Sequence, residues 1–363
     1  MINHAHSSTT TALLTHPLAI CLVLIGGLVL TDTQSVAQTP SSVQTRLAAQ
    51  NALFEEYYQN RLKESPTLAT SMGDYRYNDR LADYSLAETA REQTENDAFL
   101  LRLKAIPTDG FSEQDRMSHD LLLRILNDDL AYRDLKAYEM PGDGLGDPIG
   151  VHLILADLPL SVPLDSVKHY EDYIARLHQI PLAFTRTQEV MRAGLKDNLM
   201  PPKLLLERVS VQCDGIITAN PFLGPIKKLP ASFSADDKAR LTMAITDAVN
   251  TEVLPAYKAF GQFLAKEYAP HGRTTLGISA LPGGARRYQA AIHIMTTTDM
   301  TPDAIHALGL KEVDRIEAEM TVIAKTLGFA DLASFRAAIK TNPKYRATSS
   351  EIGRASCRER VWR

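Results

Sequence analysis

Cysteine and tryptophan are nearly missing from this chain, with three and one among 363 residues. Cys21 and Cys357 fall in end segments set aside below, so the body keeps only Cys213 and no internal disulfide is available to it. Such a chain must hold together by its apolar core, and Cys213, inside the apolar helical pattern 204–217, is expected to be part of that core. Catalytic motifs are missing too. Zinc hydrolysis on a helix needs two histidines four apart with a glutamate after the first. His119, His152, His178, His271, His293 and His306 supply no such pair, and no histidine is followed by Glu. Gly-x-Ser-x-Gly is absent; Gly277-Ile278-Ser279-Ala280-Leu281 comes nearest but lacks the closing glycine. Gly144-x-Gly146 lacks the third glycine of a phosphate loop, and Pro148 removes a backbone donor the phosphate would need. Neither sign of charge dominates, with 39 basic and 43 acidic residues and a formal net charge of −4. That balance gives no basic face and excludes a nucleic-acid partner. Sustained two-residue alternation is absent as well, which excludes an extensive sheet.

What is present is helical. Ser41 to Glu64 carries Leu47, Phe54, Tyr58 and Leu62 at helical spacing. Ser65-Pro66 predicts an N-cap with proline at the first helical position, and Gly73 closes that short helix. Ser85 with Glu88, and Ser112 with Asp115, open helices to about Lys104 and Leu135; the short turn between them makes an antiparallel hairpin. Pro141 to Gly150 is the clearest loop. Periodicity resumes at Asp165, is expected to pause at Pro181, and continues to Leu195. Pro201-Pro202 starts a helix to about Thr218, and Asn220 to Pro230 is an irregular crossing. Ser234 caps a long helix to about Tyr268 that Pro255 is expected to kink or split. The best-formed pattern runs from Thr301-Pro302 through Ile305, Leu308, Val313, Ile316, Met320, Ile323 and Leu327 to Gly328, and Asp331 to Lys340 follows. The expected fold is all-α, an irregular multi-helix array without a fixed-period repeat.

Both ends read differently from the body. Ala12 to Leu30 is apolar apart from Thr15, His16 and two glycines, and Ser35-Val36-Ala37 follows as a small-x-small cleavage site before Gln38. Residues 1–37 are therefore expected to be a signal peptide, giving an exported, periplasmic or extracellular product with no stable membrane span after cleavage. Glu351-Ile352-Gly353-Arg354-Ala355 can be encoded by GAG-ATC-GGA-AGA-GCG, the start of a common sequencing adapter whose frame continues Ser-Cys-Arg-Glu-Arg-Val. Residues 351–363 are accordingly read as a translated adapter, leaving 38–350 as the helical body.

Two loops concentrate reactive side chains. Asp74 to Arg80 lacks the alternating acids, the mid-loop glycine and the later glutamate of a calcium loop, so capping and Arg-carboxylate pairing account for it. Gly283-Gly284-Ala285-Arg286-Arg287-Tyr288, then His293, then Thr296-Thr297-Thr298, is denser than packing requires. Arg287, Tyr288 and His293 are the candidate substrate-cleft residues. A loop, an amphipathic helix and its threonine exit would account for the same run.

Ordered short motifs carry a resemblance. Leu53-Phe54-Glu55-Glu56-Tyr57-Tyr58, Ser65-Pro66, Gly73-Asp74, Arg80-Leu81, Asp115-Arg116, Met191-Arg192-Ala193-Gly194, Pro221-Phe222 with Pro225, and Leu254-Pro255-Ala256-Tyr257 come in turn. Tyr288 through Thr296-Thr297-Thr298 to Ile305-His306-x-Leu308-Gly309-Leu310-x-Glu312-Val313 completes the set. From about Ser42 to Lys344 the chain resembles the bacterial family called domain of unknown function 885. The resemblance implies a largely helical, often exported protein similar to zinc metallopeptidases, acting on peptide through a C-terminal His-Glu-x-x-x-Gly-His-like helix and a later glutamate. No residue of this sequence matches those positions, so no catalytic residue and no metal ligand is assigned in it. The zinc belongs to the intact family member. The chain is then expected to be the inactive N-terminal portion of such a hydrolase, truncated before the zinc-site helices. The alternative is a non-catalytic periplasmic binding or adaptor protein.

Overall fold

The computed structural model describes residues 42–141 and 150–343. The signal-like segment, most of the glycine-rich loop and the adapter-like tail lie outside the described residues. Thirteen α-helices are described: α1 Val43–Glu64, α2 Pro66–Ser71, α3 Leu86–Lys104, α4 Glu113–Asp134, α5 Val151–Ala156, α6 Leu158–Ser161, α7 Val167–Lys196, α8 Lys203–Ala219, α9 Ala235–Ala248, α10 Leu254–Phe263, α11 Gly284–Thr296, α12 Pro302–Thr326 and α13 Leu332–Thr341. Among the described residues there is no β-strand, only an isolated parallel bridge between Pro202 and Arg273. The fold is thus an all-α multi-helix array.

Side chains set most of the helix starts. Ser85, Ser112 and Ser234 each accept a hydrogen bond from the backbone N–H three residues on, at 3.0–3.1 Å. Each satisfies one of the four orphan donors of a helix N-terminus. Thr301 does the same for α12, and Asp331 forms a reciprocal capping box with Ser334. Ser65 departs from expectation: its side chain caps nothing, and Pro66 alone marks the start of α2.

Two large apolar cores form, beside a small cluster of Met140, Leu199 and Leu281. The smaller of the two joins α1, α3 and α4 through Leu53, Phe99, Leu103, Leu122 and Leu126, with α3 and α4 as the expected antiparallel hairpin. The larger is built on α7, whose Tyr173, Leu177, Ile180 and Phe184 are buried on the side facing α9, α10 and the segment Val249–Val253, with α8 packed on α10. These residues explain why α7 runs through Pro181 without the expected pause. Proline in a helix interior costs about 3 kcal/mol. Burying each large apolar side chain returns roughly 1.5–3 kcal/mol, so four of them outweigh one missing hydrogen bond.

Pro255 is accommodated in another way. Between α9 and α10 the backbone widens into a π-helical turn at Val249–Val253, and a second such turn at Leu264–Tyr268 closes the run. A wider turn relieves the clash between the proline ring and the preceding carbonyl, so the long helix from 235 to 268 continues. Helices α5 and α6, six and four residues long, are too short to show a helical period in the sequence, although Val151, His152, Leu155, Ala156 and Leu158 are buried.

Candidate functional site

The α3–α4 hairpin forms one wall of a cavity of about 750 Å³ whose other sides come from α1, α5, α7 and α11. Helix α11 is fastened to the outer end of α4 by three contacts. Arg124 donates to the Ile294 carbonyl at 2.9 Å, Arg286 pairs with Asp134 at 3.1 Å, and His293 Nε2 faces Asp128 at 3.8 Å. Ile294 and Met295 thereby become an apolar lip of the cavity.

Tyrosines and carboxylates dominate its polar lining. Tyr57, Tyr84, Tyr132 and Tyr138 contribute rings, and Glu92, Asp128 and Asp129 contribute acid groups. Positions 128 and 132 are one helical turn apart, which sets Asp128 and Tyr132 on one face of α4. Both lining arginines are engaged by carboxylates outside the cavity: Arg133 grips Asp97 through two nitrogens at 2.8 Å, and Arg61 pairs with Glu64 at 3.3 Å. Asp129 accepts from Asn96 at 3.1 Å. Glu92 makes no hydrogen bond or ion pair among the described residues. Burial, with Glu64 nearby, pushes its carboxyl up to about 7. Burial, with Asp128 nearby, likewise pushes the Tyr132 phenol up to about 12. Ionisable groups perturbed in this way inside a cleft are the usual physical mark of a functional site.

The sequence candidates separate. Arg287 is buried, its Nε donating to the Pro282 carbonyl at 2.8 Å; desolvation pulls its pKa below the ordinary arginine range. It fixes the turn that enters α11. Tyr288 is exposed and does not line the cavity. His293 bonds Asp299 through Nδ1 at 2.8 Å and reaches the cavity edge only through Asp128. The three side chains therefore do not converge. The glycine pair before them has a backbone cause. Gly283 has a φ of +65°, and a Cβ on Gly284 would lie 2.4 Å from the Ser279 carbonyl oxygen. The threonines close the helix, Thr296 donating to the Ile292 carbonyl at 2.7 Å and Thr297 turning left-handed.

Donor chemistry for a metal does not assemble. Among the described residues no three His, Cys, Asp or Glu side chains come together to hold an ion. Four histidines are committed singly: His119 to the Leu103 carbonyl, His152 to Gln212, His178 to Glu252, and His169, which no sequence motif singled out, to Asp165. Zinc does not fit this donor set, and no chemical step is assigned through it. Cys213 lies in the core as expected, its thiol pushed up to about 12 by burial and unreactive.

Residues 66–362 match the family model described as bacterial protein of unknown function (DUF885). The chain belongs to that family. The DUF885 match begins and ends later than the motifs that carried the resemblance, and it runs through segment 351–363, which the codon reading had set aside as foreign. The fold is also similar to the crystal structure of a protein from Colwellia psychrerythraea named as a lipoprotein. The TM-score is 0.73 at 20% identity, over 87% of this chain and 57% of that one. The chain thus spans a little over half the length of that relative in fold. No curated protein matches the DUF885 chain.

Proposed function

We propose that this chain is the cleft-forming, helical N-terminal portion of an exported peptidase-like hydrolase, and that on its own it does not hydrolyse peptide. The observation that carries this reading is α12. Its Leu308, Val313, Ile316, Ile323 and Leu327 are all exposed although they form its apolar stripe, and its principal neighbour is the short α13. An apolar stripe of that length marks an interaction surface, and the Colwellia psychrerythraea relative is longer than this chain. Export is supported by the signal-like segment and by that relative's name. Among the described residues no helix is long and apolar enough to cross a membrane.

The test is to read the genomic locus past codon 350 and assay both products on unstructured peptides. The present chain is expected to be inactive with or without added zinc. The extended product is expected to cleave peptide, and Tyr288→Phe to slow it about tenfold if residue 288 meets substrate there. A locus that continues without a paired-histidine helix overturns the reading in favour of a binding or adaptor protein.

A further inference from the structure

The cavity between the α3–α4 hairpin and α11 offers more acceptors than donors. Asp128 accepts no hydrogen bond among the described residues; its ion pairs are long, to Arg124 Nε at 3.5 Å and to His293 Nε2 at 3.8 Å. Glu92, on α3, makes none either. The hydroxyl oxygen of Tyr132 is buried without any hydrogen-bond partner. A buried, unpaired hydroxyl costs roughly 1–3 kcal/mol, so a molecule that donates to it recovers energy the free protein forfeits. Of the nearby arginines, Arg133 and Arg61 are held by Asp97 and Glu64, while Arg124 donates to the Ile294 carbonyl and stays 3.5 Å from Asp128. Three lining carboxylates, Glu92, Asp128 and Asp129, therefore favour a guest that brings hydrogen-bond donors and positive charge. The rest of the wall, tyrosine rings with Ile125, Ile154, Ile294 and Met295, asks for an apolar body behind that charge.

We propose that this cavity binds an organic primary ammonium ion, its head donating to Asp128 and the Tyr132 hydroxyl and its apolar body lying against the tyrosine and isoleucine wall. An ammonium carries three donors and no acceptor, the complement of what the lining leaves unpaired. Tyrosine faces add cation–π attraction, which the apolar surroundings strengthen by excluding water. The assignment holds whether or not a longer gene product hydrolyses peptides, because it rests on the lining alone. A peptide N-terminus and a polyamine both carry this head group. They differ in how many charges they bring, and Glu92 on the neighbouring helix gives a second charge a place to go.

Calorimetric titration of the full chain at pH 8 with leucyl-leucine amide, its N-acetyl form and spermidine tests the proposal. The free amine is expected to bind, and acetylation to weaken it about tenfold, since charge-assisted hydrogen bonds are lost. Asp128→Asn and Tyr132→Phe are each expected to weaken the free amine by about fivefold or more. Tyr132→Phe removes only an unpaired hydroxyl, so the protein should fold as the parent does, with a thermal midpoint equal to the parent's or higher. Spermidine binding more tightly than the peptide amide, with Glu92→Gln costing spermidine the most, would identify a polyamine as the source. A peptide amide that binds more tightly and is indifferent to Glu92→Gln would identify an N-terminus. Equal binding of the acetylated form, no binding of either amine at millimolar concentration, or full affinity in both the Asp128 and Tyr132 variants overturns it.

Discussion

Arg176 is a charged side chain with no exposed surface, on the core face of α7. It donates to the Arg80 carbonyl at 2.8 Å and to the Thr70 hydroxyl at 2.7 Å, while one of its nitrogens has no partner. Desolvation draws its pKa down to about 10 against the opposing pull of Asp172 and Asp79. Removing one member of such a buried network strands the others. Arg176→Met is expected to lower unfolding free energy by about 3 kcal/mol. A shifted urea midpoint with an unchanged slope would show it. Glu92 behaves in the opposite sense. Its folded-state pKa stands near 7 against an ordinary 4.5, with Glu64 and Arg61 facing it from α1 and Glu88 and Arg91 beside it on α3. The protonated form is the one the fold prefers. Its contribution is therefore complete below pH 4.5 and is lost as pH rises through 7. Glu92→Gln is expected to stabilise the protein at pH 8 by about 1 kcal/mol, after allowing for solvent screening, and to change little at pH 4.5. Thermal melts at the two pH values check the sign, and a gain at pH 4.5 alone would contradict it.

Elements explain what could be read from the sequence and what could not. Helices with one wet face and a hydroxyl or carboxyl cap announce themselves, so α3, α4, α9, α12 and α13 start where Ser85, Ser112, Ser234, Thr301 and Asp331 put them. Pro181 misled, whereas Pro255 marks the π-helical turn that divides α9 from α10. Local chemistry argues for a break at Pro181, but the cost of a missing N–H is set against burial that only the tertiary fold supplies. Helices α5 and α6 went unread because six and four residues are too few to show a period. The cavity was legible least of all. Glu92, Asp128 and Tyr132 look in sequence like the solvated faces of two amphipathic helices, and become a lining only because α11, about 160 residues beyond Asp128, lays Ile294 and Met295 across α4. The density of reactive residues at Arg287 to His293 has a structural cause. It reflects what fastens α11 in place, with Arg287 on a turn carbonyl and His293 between two aspartates.

At the scale of the whole molecule, the apolar stripe of α12 decides between two accounts of the protein. Ile316 and Ile323 lie seven residues apart on that stripe and are about half exposed, at 45% and 53%. If nothing covers them, changing both to glutamate removes surface that water already touches. Unfolding free energy should then shift by no more than about 0.5 kcal/mol, and the main effect should be less self-association in light scattering. If a further part of a longer gene product packs on the stripe, the same pair of changes buries two unpaired carboxylates. The longer product should then lose on the order of 3 kcal/mol or more, while the present chain is unaffected. Chemical unfolding of the two products, with and without the paired substitution, therefore reads a difference of differences. A large cost confined to the longer product places its additional chain on α12. An equally small effect in both leaves the stripe as a surface for some other partner and removes the main support for the hydrolase reading.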